Sequence, residues 1–135
     1  MKRSILALFV GFVLWVVVAS LLNRGLRVAF AGYAAAEPTL SFTLGMKFAR
    51  LLVGALASLA AGAATAMTTP SKLSVAWVLG AILLTGFIPI HIQIWAKFPI
   101  WYHLVFLGTL APLVVLGAAL ARSNSRNVPA PTALY

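Results

Sequence analysis

Two histidines, His91 and His103, come nearest to chemistry of any residues in this chain. They flank the stretch 93–100, with Gln93 and Tyr102 beside them. A hairpin there would bring the two imidazoles within reach of each other. Such a pair can seed a Zn²⁺ or Cu²⁺ site, or a pH-sensitive element. A closed metal site needs about four ligands, and no carboxylate or thiol lies in this segment. His91 and His103 are therefore metal candidates only against an ordinary role, hydrogen-bonded near headgroups, and no cofactor is expected.

What is missing narrows the chemistry further. There is no cysteine, which removes disulfides, thiolate catalysis and Cys-ligated metals. The only acid is Glu37, so neither a membrane-embedded Ser–His–Asp triad nor a carboxylate pair can form. The chain does not read as an enzyme.

The elements that must position these residues are membrane helices. Of 135 residues 63% are hydrophobic and 8% charged, where ordinary soluble domains carry about 25% charged residues. Charge-free intervals run over 4–23, 51–71, 73–96 and 98–121. About 20 apolar residues cross a hydrocarbon core of about 30 Å, so each interval is long enough for one span. The net charge of +9 comes from Lys and Arg at the interval edges. There they suit snorkelling anchors, and with no basic patch nucleic acid is not an expected partner.

Helices are predicted at about 4–22, 48–67, 73–92 and 101–121, with a disordered polar tail over 123–135. Residues 4–22 exceed a signal-peptide core of about 7–15 residues and are read as a retained first helix. Pro38 can open a new helical start, with Thr39 or Ser41 as cap; Ser71 or Ser74 can cap the third helix. Short second and third connections predict an all-α membrane protein, an antiparallel four-helix transmembrane bundle with both termini on one side.

Orientation is nearly balanced by charge. Lys2, Arg3, Lys72, Arg122 and Arg126 fall on the side of the termini; Arg24, Arg27, Lys47, Arg50 and Lys97 fall opposite. Lys2 and Arg3 close to the first span favour cytoplasmic termini in an inner membrane. Trp95, Trp101 and Tyr102 would then form an outer aromatic belt.

Two patterns inside the spans bear on function. Gly54, Ser58, Gly62 and Ala66 recur every four residues, a small-xxx-small face for close helix packing within the chain or between copies. Pro89 and Pro112, preceded by Thr85 and Thr109, could break two helices around a substrate site, as in discontinuous transporter helices, although ordinary kinks satisfied by Ser/Thr hydroxyls are commoner. No ionisable group falls mid-span, which argues against a carboxylate-driven antiporter.

The Met1-Lys2-Arg3 start, the small-residue face and the run Phe98-Pro99-Ile100-Trp101-Tyr102 together resemble small four-helix membrane proteins of bacteria over residues 1–122. That resemblance implies a layout and no activity. The expected function is helix-mediated interaction in the lipid bilayer, as an accessory subunit of another membrane protein or a homo-oligomer. The alternative is a small channel or transporter for a neutral or anionic solute.

Overall fold

The computed structural model describes residues 1–70 and 73–129. Its long helices are α1 (Lys2–Ala29), α3 (Leu44–Thr68), α4 (Leu73–Gln93) and α5 (Ile100–Arg126), with the four-residue α2 (Tyr33–Ala36) between the first two. All four long helices have the length and hydropathy needed to cross a membrane.

Two helix ends differ from the sequence reading. At 1.5 Å per residue the 28 residues of α1 extend about 42 Å, well past the predicted end at 22. Arg24 and Arg27 end the charge-free interval without ending the helix, because long basic side chains can stay on a helix while reaching outward. At the other terminus α5 continues to Arg126, so 123–126 are helical and not disordered. Residues 130–135 of the expected tail lie outside the described residues.

The connection between α1 and α3 is folded. Gly32, at φ 82, supplies the left-handed turn that leads into α2. Pro38 then sits in the first turn of a 3-10 helix over Glu37–Thr39, which Leu40 closes at φ 55. A left-handed conformation costs a side-chain-bearing residue roughly 1–2 kcal/mol. Leu40 offsets it by packing on the cluster of Tyr33, Phe42 and Phe98. The cap of α3 is Thr43, whose hydroxyl accepts from the Met46 amide at 3.3 Å. Thr39 and Ser41, the expected caps, bond to each other instead. Ser74 lies inside α4, and Ser71 falls outside the described residues.

Helix α3 is central, packed mainly on α5 and α1, while α4 packs on α5. The seam between α1 and α4 is the lightest in this ring of four. The row Gly54, Ser58, Gly62 and Ala66 is wholly buried. A Cβ on Gly62 would overlap the Val114 carbonyl and the Ala118 amide, and one on Gly117 would overlap the Leu59 backbone. Helices this close gain dispersion contact between their backbones. The row is therefore taken up by the chain's own α5 and α1.

The prolines occupy ordinary positions within helices rather than hinges. Pro89 and Pro112 lie within uninterrupted α4 and α5. Pro89, Thr85, Pro112 and Thr109 are all exposed. The Thr85 and Thr109 hydroxyls donate to the carbonyls of Ala81 and Val105, one turn back. These four residues face away from the interior, so they do not break helices around an internal site.

Candidate functional site

Beyond Gly54 the small-residue row continues by two more four-residue steps, to Arg50 and Met46. Anything on that row faces the interior, and Arg50 does. Its Nη1 donates to Tyr33 Oη at 2.9 Å and its Nε to Tyr102 Oη at 3.4 Å. The guanidinium carbon lies 4.7 Å from the Phe42 ring centroid, a cation–π distance. The Tyr33 hydroxyl passes its own proton to Asn23 Oδ1 at 2.8 Å.

These partners are neutral. The ion pair found among the described residues joins Arg27 to Glu37, at 2.7 Å. An arginine has five N–H donors, and two of those on Arg50 are used, leaving three without a protein acceptor among the described residues.

The histidines meet as the hairpin reading expected. His91 Nδ1 and His103 Nδ1 are 2.7 Å apart, both rings buried, and His103 Nε2 is 3.3 Å from the Trp95 carbonyl. A carbonyl only accepts, so His103 carries its proton on Nε2 and offers Nδ1 as an acceptor. His91 must then donate from Nδ1, which leaves its Nε2 as a lone pair. Trp95 stacks on His103 with centroids 4.5 Å apart, fixing the ring. Two nitrogens bonded to one Zn²⁺ at about 2.0–2.1 Å each sit farther apart than these do. The observed contact is a hydrogen bond, and no cluster of three or more His, Asp or Glu occurs among the described residues.

Between Arg50 and His91 lies a cavity of about 200 Å³. Asn23 and Trp15 wall it from α1, Tyr102 and Phe106 from α5, and Phe87 and Ile90 from α4. Its floor is the Trp15 indole, which donates to Ser58 Oγ at 3.0 Å, while Ser58 donates to the Gly54 carbonyl. Below that floor the core of Ala57, Ala61, Leu79, Val114 and Ala118 is closed.

The sequence reading named His91, His103 and Gly54 but missed Arg50, Tyr33 and Asn23 as site residues. Arg50 was grouped with interfacial charges, although its four-residue register with Gly54 marks it as inward. Asn23 and Tyr33 belonged to a stretch read as a connection, and no local signal singled them out.

Fold and site together define an all-helical chain, its four long apolar helices closed at one end and holding, towards the other, a largely apolar cavity into which Arg50, Asn23 and His91 bring polar groups. Compared with known families, curated proteins and solved structures, it matches none.

Proposed function

We propose that this chain is a multi-pass inner-membrane protein that works by binding an anionic ligand rather than by catalysis. The observation behind this reading is Arg50, a guanidinium facing a cavity with three free donors and no carboxylate opposite. Such a fork is suited to oxyanions, which it can engage through two parallel bonds.

The proposed arrangement is an antiparallel bundle with both termini cytoplasmic. Gly11 beside Thr65 and Trp15 beside Ser58 run in opposite sequence directions, which supports antiparallel α1 and α3. The near-even charge count also tilts. Arg50 is turned into the bundle and Arg27 is paired with Glu37, whereas Arg3, Arg122 and Arg126 share a surface hollow beside Pro70 at the opposite end. The basic end then faces the cytoplasm.

The closed core beneath Trp15 favours a binding subunit over a conduit through one copy. An accessory role beside another membrane protein fits the same reading, and native mass spectrometry of gently released protein would reveal a stoichiometric partner. The direct test is thermal stability of purified protein titrated with phosphate, acetate and alkyl phosphates. Stabilisation that Arg50→Gln abolishes is expected; no stabilisation by any anion would dismiss the reading.

A further inference from the structure

The cavity is too small for a whole ligand of ordinary size. Small-molecule pockets occupy about 300–1,000 Å³, and a water's share of liquid volume is about 30 Å³. A volume near 200 Å³ accommodates one compact polar head. Whatever else the ligand carries must leave through a wall.

The wall that can yield is the seam between α1 and α4. It is the least packed of the ring, and the cavity reaches it through Ala19 and Asn23 on one side and Ile90 and Ile94 on the other. Ala19 and Asn23 are half-buried and Ile90 is 47% exposed. Gly86, one turn from Ile90, has no atom within 4 Å of where a Cβ would stand. Exposed side chains on these two helices near the seam, Val16 on α1 and Ile82 and Ile90 on α4, are apolar, as a surface against acyl chains should be.

From these observations we infer that the ligand is an anionic amphiphile, its phosphate or carboxylate head held by Arg50 and its acyl chain lying in the α1–α4 seam. The inference rests on the anion-binding reading above and names the class of molecule bound. The head meets the spare Arg50 donors, with the Asn23 amide and Tyr102 hydroxyl at its sides. His91 Nε2 is left as an acceptor on the cavity wall, suited to a protonated head oxygen or a glycerol-type hydroxyl. Entry is sideways, from the bilayer. An amphiphile so placed need not pass through the aromatic cap of Tyr33, Phe42 and Phe98.

The test is native mass spectrometry of the whole chain with dodecyl phosphate and inorganic phosphate as probes, and dodecanol as the uncharged control. Wild type is expected to retain one dodecyl phosphate and to prefer it to dodecanol. Arg50→Gln should weaken dodecyl phosphate by at least about tenfold, the worth of one charge-assisted hydrogen bond. Gly86→Leu fills an open position in the seam without touching the bundle interior. It should lose dodecyl phosphate while still binding inorganic phosphate. Inorganic phosphate binding as well as dodecyl phosphate, with Gly86→Leu affecting neither, would overturn the amphiphile and leave an anion site standing. Binding of neither probe would remove both readings.

Discussion

His91 and His103 donate and accept through the same ring position, Nδ1 to Nδ1 at 2.7 Å, so the two residues occupy opposite tautomers. The Trp95 carbonyl decides which is which, by demanding a proton on His103 Nε2. Nitrogen-detected NMR of imidazole-labelled protein should find a protonated Nε2 on His103 and a protonated Nδ1 on His91. Changing His103 to Ala should strand the His91 donor in a buried site, at about 1–3 kcal/mol. The double variant should cost less than the two single changes summed, because both remove one bond. Identical tautomers on the two rings would refute the arrangement.

The glycines divide into two groups with opposite expectations. Gly62→Ala and Gly117→Ala place a methyl against the backbone of the neighbouring helix and should each destabilise by about 1–3 kcal/mol. Gly86→Ala and Gly108→Ala meet nothing within 4 Å. They should be neutral or stabilise by up to about 1 kcal/mol through helix propensity. Unfolding in a detergent series reads all four, and equal effects across the groups would contradict the packing.

Glu37 gives the connection between α1 and α3 a pH dependence. The two bonds from Arg27, Nε to Oε1 and Nη2 to Oε2, hold its carboxyl below the ordinary glutamate value, outweighing partial burial, which raises it. A carboxyl depressed on folding stabilises fully above its unfolded value and loses that contribution as pH falls through the folded one. Hydrogen-exchange protection over residues 30–43, corrected for the intrinsic rate at each pH, should therefore fall on acidification. Glu37→Gln should exchange fast at neutral pH and show no further acid step. An unchanged acid step in that variant would assign the dependence elsewhere.

The absence of native cysteine makes topology simple to read with introduced thiols. A cysteine at Ala35 should react with an impermeant maleimide in intact cells, and one at Ser125 only after permeabilisation. The reverse pattern would invert the orientation.

Much of the architecture was legible because a helix able to cross a bilayer must satisfy its backbone internally and shed charge. The four charge-free intervals meet both demands by length and composition. The ends were less legible. Arg24 and Arg27 continue α1, and Thr43 takes the cap that Thr39 and Ser41 also suited by type. The meeting of the histidines could be read from the hairpin, whereas their tautomers depend on Trp95, whose carbonyl the sequence does not orient. Arg50 was legible in register but not in role. Its partners Tyr33 and Asn23 reach it only because Gly32 and Leu40 turn the connection back over the bundle.

The contact between Gly62 and the Val114 backbone joins the second long helix to the last. During synthesis α3 emerges well before α5 exists, and in that interval its notched flank lacks the backbone it is shaped to meet. The half-made chain thus carries a vacancy shaped for a helix still to come. Closure of that flank waits on the synthesis of α5, and a chain cut short before Ile100 would leave it open.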